Sequence, residues 1–281
     1  LQVEARSSRM EFLDYEAVAG TLVTIDNSAV IQGDVASNGD ITKNGLDTMI
    51  YGDARAAGQI SDTYNIFGHI YESADPLDLP AGQSVYDFYA PLATVIPYQS
   101  EIFGQLISPT HNPFGPANAD GVYLIDCGGK RIIIKQCRII GTLILLNPKN
   151  TSAVEISVNM QPARNDYPAL IIQGGEFEFK IESDISEAEL NTDLSLSGET
   201  GYGTKTDTYE GEIRGMIFST RPLTLSQITK VYGLVVSMDT LTIRDNTLIA
   251  PDPLAADTII QPFVDPALVP IRGTYQWITP P

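Results

Sequence analysis

The sequence predicts an all-β protein: a single right-handed parallel β-solenoid with an N-terminal helix and irregular, proline-rich excursions. Three observations predict it. Ile213-Arg214-Gly215-Met216-Ile217-Phe218-Ser219 and Val231-Tyr232-Gly233-Leu234-Val235-Val236-Ser237 nearly repeat each other eighteen residues apart. Echoes stand at Ile139-Ile140-Gly141, Ile31-Gln32-Gly33, Ile50-Tyr51-Gly52 and Ile66-Phe67-Gly68, and short strands recurring about every twenty residues stack as successive coils. The strands packed between Gly121 and Leu146 are separated by connections too short for helical crossovers, and no Asn-Gly hairpin turn joins them. A coil of roughly eight to ten turns would be about 40–50 Å long.

Residues 1–20 read as the helix. Val3, Met10, Leu13, Ala17 and Val18 recur at nearly helical spacing, and Gly20 stands where a C-cap would fall. The solenoid is expected over 21–250. Its first coils carry β-branched runs such as Leu22-Val23-Thr24-Ile25, with Asn38-Gly39-Asp40 and Asn44-Gly45 as turns that accept positive φ. Residues 73–118 hold seven prolines, from Pro76 to Pro116. Proline removes ladder donors, so this stretch reads as an excursion packed along the side or over an end, anchored by Tyr86, Phe88, Tyr89, Tyr98 and Phe103. The acidic, glycine-rich stretch 182–211 reads as a second insertion, with a short helix near Ser186 to Leu190. Residues 251–281, proline-rich again and holding Trp277, read as a tail that seals an end or lies on a wall and so covers exposed strand edges.

The 281 residues carry a net charge of −18 and 43% hydrophobic residues. The composition is that of a folded protein. The acid excess disfavours nucleic acid and anionic membrane surfaces as partners, because no basic patch exists to release counterions. No run of apolar residues is long enough to span a bilayer, and the start at Leu1 suggests a processed form. Cys127 and Cys137 read as small buried hydrophobes, with a bridge or metal ligation as the alternatives.

The run Gly121-Val122-Tyr123-Leu124-Ile125-Asp126-Cys127-Gly128-Gly129-Lys130-Arg131-Ile132-Ile133-Ile134, then Cys137-Arg138-Ile139-Ile140-Gly141-Thr142-Leu143, resembles right-handed parallel β-helix proteins. Within that fold it is similar to uncharacterised bacterial envelope proteins with a type IV pilin-like N-terminus, a likeness shared by Tyr167-Pro168-Ala169-Leu170-Ile171-Ile172-Gln173-Gly174 and the Gly215 repeat. The resemblance implies a cell-envelope or extracellular location, an upstream membrane anchor of which residues 1–19 would be the soluble continuation, and partners among envelope or pilus proteins or surface glycans.

Chemistry-bearing patterns are sparse. Glycoside hydrolysis on a β-helix wall needs carboxylates aligned roughly 6.5–9.5 Å apart for inversion, yet the sequence has no Asp-Asp and no Gly-His-Gly. His69 and His111 are the only histidines, and no Gly-x-Ser-x-Gly elbow occurs. Calcium is the ion that Asp34, Asp40 and Asp53 in the regular N-terminal coils would suit, without matching any known calcium repeat; no other cofactor is implied. Tyr202, Tyr209 and Trp277 are the candidate carbohydrate contacts. The expected role is therefore non-enzymatic: a structural or adhesive envelope or pilus-associated module, with a polysaccharide-binding or polysaccharide-cleaving β-helix as the alternative.

Overall fold

A computed structural model describes residues 5–253 and 260–270. Within them the chain is mostly β, with parallel sheets and few helices. Its strands build three walls around one dry interior. The first wall is a ten-stranded sheet whose spatial order runs Ile70–Tyr71, Ala54–Ala56, Val35–Ser37, Ala17–Ala19, Val235–Ser237, Ile217–Ser219, Leu170–Gln173, Thr142–Leu146, Val122–Asp126 and Thr94–Val95. The second and third walls merge into one sheet, because Ile133–Ile140 and Ser152–Gln161 are long enough to bend round the corner between them.

This order is not chain order. Residues 17–72 wind outward to one edge of the stack. Residues 73–93, including the helix Gly82–Tyr89 and the 3-10 turn Ala90–Leu92, then carry the chain to Thr94–Val95 at the opposite edge. The remaining coils wind back until Val235–Ser237 pairs with Ala17–Ala19, which pairs on its other side with Val35–Ser37. The two ends of the coil path therefore meet in the middle of the stack. The repeats that start at Ile213 and Val231 do lie in adjacent coils, in register from Ile217↔Val235 to Ser219↔Ser237.

The expected N-terminal helix is not there. Ala5–Arg9 is a strand antiparallel to Val264–Pro270, Glu11–Asp14 is a single 3-10 turn, and Ala17–Ala19 is a fully buried strand. Helix propensity is a weak prior, and here two waiting strand edges outweigh it. The apolar spacing has a different use: Phe12 is buried, with Met10 and Leu13 packed beside it, on the outside of the first wall.

The walls differ in what they bury. Second-wall strands alternate, with one face in the core and one outward: Leu22–Ile25, Asp40–Lys43 and Thr240–Ile243 each place their second residue inside and their third outside. In its middle coils the first wall is buried on both faces. Ala17, Val35, Val235 and Ile217 point inward, whereas Val18, Ala36, Val236 and Phe218 form an outer apolar layer covered by Phe12, Phe263 and the helix residues Val85 and Tyr89. Of the expected anchors, Tyr89 is buried and Tyr98 packs against the core, but Phe88 and Phe103 are exposed.

Corners between the second and third walls need residues with positive φ. Asn27, Ser28, Asp62, Gln136, Ile156, Gln227 and Asp245 supply them, mostly as residue types that accept the left-handed region. The 182–211 insertion holds a short helix, Glu187–Leu190, capped by Ser186, and a two-stranded ribbon of Ile185–Ser186 with Thr208–Tyr209. In the tail, Ile260 and Phe263 pack on the first wall. Thr258, Ile259, Tyr275 and Trp277 lie outside the described residues.

Candidate functional site

The regularity of the second wall places like side chains above like. Register runs Glu178↔Thr224, Thr224↔Thr242, Thr242↔Thr24, Thr24↔Thr42 and Thr42↔Ser61. Four threonines from consecutive coils, continued by Ser61, thus form one outward column. Their strand neighbours Leu225, Leu241, Val23 and Ile41 are buried beneath it. At the spacing of adjacent strands the four threonines span ~14 Å.

The hydroxyls of Thr24, Thr42, Thr224 and Thr242 have no hydrogen-bond partner among the described residues, and the four side chains are half-buried at their bases. Other threonines are engaged. Thr142 Oγ1 donates to Pro168 O at 2.6 Å, Thr229 Oγ1 to Ser226 O at 2.6 Å and Thr247 Oγ1 to Arg244 O at 2.6 Å. The column therefore offers a row of free hydroxyls and γ-methyls held by paired backbone. Charged side chains flank it: Glu178 continues the register beyond Thr224 with Arg244 Nη2 3.2 Å from its Oε1, and Asp40 is exposed on the strand of Thr42.

The carboxylates considered for calcium occupy a different place, the corners that bound the first wall. Glu16 Oε2 accepts from Asp34 N at 2.5 Å, Asp34 Oδ1 from Asp53 N at 2.7 Å, and Asp53 Oδ1 from His69 N at 2.7 Å. Asp40 Oδ1 accepts from Gln59 N at 2.8 Å. Each acid ties its coil to the next by satisfying a backbone donor. Burial raises the Glu16 carboxyl above its ordinary range. Among the described residues no three His, Cys, Asp or Glu side chains are grouped to hold a metal ion.

Of the expected carbohydrate contacts, Tyr202 and Tyr209 both stand on the 182–211 insertion, and Trp277 lies outside the described residues. Tyr202 is exposed. Tyr209 is a structural residue there: its hydroxyl lies 3.0 Å from Glu187 Oε1 and 3.1 Å from Ser195 Oγ, and the Arg138 guanidinium sits 4.3 Å from its ring centre. Cys127 and Cys137 are free and buried, and burial pushes both thiols up to about 12. The His69 side chain is exposed, with Nδ1 3.3 Å from Asp53 Oδ1.

Sequence reasoning missed the threonine column, although Val23-Thr24-Ile25, Ile41-Thr42-Lys43, Leu223-Thr224-Leu225 and Leu241-Thr242-Ile243 share a pattern. The signal was the period-2 placement of threonine between apolar residues. Its adjacency was hidden because Thr24 and Thr242 are 218 positions apart in the chain.

No protein-family profile matches the sequence, and no curated protein matches it. Solved structures do resemble the fold in part. An ice-binding protein from an Arctic yeast is 12% identical, with 88% of this chain and 96% of that chain covered at a TM-score of 0.43. An ice-binding protein from the Antarctic ascomycete Antarctomyces psychrotrophicus is 12% identical over 86% and 98% at 0.36. The ice-binding protein 1 domain of Shewanella frigidimarina is 11% identical over 88% and 99% at 0.32. Overlaps this partial carry no weight for what the present chain binds. No helix of the described residues is long and apolar enough to cross a membrane.

Proposed function

We propose that this chain is a non-enzymatic surface-binding module, and that its second wall adsorbs to an extended, repetitive solid, with ice the surface it fits best. The observation that carries the reading is the in-register column of unpartnered hydroxyls at Thr224, Thr242, Thr24 and Thr42. A pocket ligand needs concavity and a few convergent groups; this wall repeats one group at one spacing. Each hydroxyl contact is worth only about 0.5–1.5 kcal/mol net. Held rigidly in a row they engage together, so several individually weak contacts add as one binding event. Methyl groups between the hydroxyls suit a partner made of ordered water, where apolar and hydrogen-bonding spots alternate. We take the coil to be right-handed, the sense that parallel strand crossovers adopt. Display at the cell envelope or on a pilus is compatible with the reading, since such a solid is met outside the cell.

The test is adsorption to a single-crystal ice surface, with fluorescently labelled wild type against the double variant Thr24→Lys/Thr242→Lys, both checked by circular dichroism. Wild type should coat the ice and the variant should not. Failure of the wild type to coat it, or equal coating by both, would overturn the assignment.

A further inference from the structure

Beside the threonine wall runs a second feature that the surface-binding reading does not use. The corner between the first and second walls carries two shallow troughs, of about 430 Å³ and 360 Å³, lying side by side. Each crosses successive coils. One is lined by Asn147, Gln173, Gly174, Thr220 and Met238, with Gly82 and Gln83 of the helix on its far bank; the other by Asn150, Gly175, Glu176 and Asp239. Arg221 lines both. The backbone beneath is continuous: Asn147 N donates to Gln173 O at 2.7 Å, Thr220 N to Ile172 O at 3.0 Å and Met238 N to Ser219 O at 2.8 Å.

Two groups here are left without partners. Arg221 is exposed, and among the described residues its guanidinium makes no ion pair or hydrogen bond. Gln173 Oε1 is buried close to Gly82 and has no hydrogen-bond partner among the described residues, a situation that costs about 1–3 kcal/mol unless something fills it. From these we infer that the double trough is a binding site for a neutral saccharide chain lying along the coil axis.

The chemistry selects that class. Gln173 Oε1 requires a donor, and the Arg221 fork requires acceptors; a sugar hydroxyl is both at once. Asn147 and Asn150 offer mixed donors and acceptors, Glu176 and Asp239 acceptors alone. An anionic chain would meet those two carboxylates and the overall charge of −18, which disfavours it. Four coils span ~14 Å along the trough, room for a few sugar rings rather than one. With no aromatic platform along either trough, affinity rests on hydrogen bonds and is modest.

The experiment is an NMR titration of the intact chain with cellohexaose, maltohexaose and chitohexaose, and with tetragalacturonate as the acidic control. At least one neutral hexasaccharide should shift the amides of Gly174, Gly175, Thr220 and Met238. Arg221→Ala and Gln173→Ala should each weaken that binding about tenfold or more. The Thr24→Lys/Thr242→Lys protein should bind as wild type does, which separates this site from the threonine wall. Absence of binding by all three neutral chains, shifts confined to another surface, binding unaltered in both trough variants, or tighter binding of tetragalacturonate would each overturn the inference.

Discussion

Ile156 is the residue most at odds with its backbone. It holds φ 69° at the corner between the second and third walls, where other coils use Asn27, Asp62 or Asp245. A branched Cβ collides with the backbone there, at a cost of about 1–2 kcal/mol. Ile156→Asn should therefore raise the thermal unfolding midpoint, even though Ile156 is partly exposed and gives up some apolar contact. Lys43 is the second such residue. It stands in the inward column below Ile243 and Ile25, its side chain is 0% exposed, and its amine lies 3.4 Å from Asp62 Oδ2. Leaving a buried charge unpaired is costly, while replacing it by an apolar group of like size is often neutral or better. Thermal melts should show Asp62→Ala destabilised and Lys43→Met at least as stable as wild type. Neither position announced itself in the sequence: Ile156 sat in an ordinary β-branched run, and Lys43 took its inward direction from a register fixed by Ile25.

At the scale of elements, the strands of both walls were legible, but the alternation of the second and the double burial of the first were not. Runs such as Ile217-Phe218 and Val235-Val236 lack the alternation of a strand with one solvent face, and their cover was legible only in part, through Tyr89 of the excursion expected along the side. The cover comes from a 3-10 turn and a helix, Gly82–Tyr89, inside a proline-rich stretch. Phe218, fully buried in that outer layer, should cost about 3–5 kcal/mol on truncation to alanine; chemical denaturation would measure it, with Thr224→Ala as a nearly neutral control. The N-terminal stretch misled for a related reason: Ala17-Val18-Ala19 has good helix formers, yet open strand edges on both sides claim it. The 182–211 insertion is tied down by Arg138, whose Nη1 lies 2.6 Å from Glu199 Oε2 and whose Nη2 lies 2.9 Å from Oε1. Hydrogen bonds from Arg138 hold the Glu199 carboxyl below its ordinary 4.5. Its folded value is thus lower than its unfolded one, so the contribution of the pair is intact above pH 4.5 and fades as pH falls through the lowered value. Amide protection factors in the insertion should fall selectively on acidification, and Glu199→Gln should show reduced protection already at neutral pH.

The molecule as a whole closes its coil path on itself, with residues 17–50 stacked on residues 217–250. That closure assembles the candidate site: Thr24 and Thr42 come from the first coils, Thr242 and Thr224 from the last. A repeat read in sequence order stacks each coil on the next, and that picture holds for Gly215 and Gly233 but fails at the seam. The acids at Asp34, Asp40 and Asp53 were visible as a regular set, and their regularity proves to be that of coil corners, where each holds a backbone donor of the following coil. The central claim is that the in-register threonine column meets an ordered solid. Its most direct test is the gap between melting and freezing points of a small ice crystal in a solution of the intact protein. A measurable gap that disappears in Thr24→Lys/Thr242→Lys is the predicted result; a wild-type solution that freezes at its melting point, as an inert protein of equal concentration does, would contradict it.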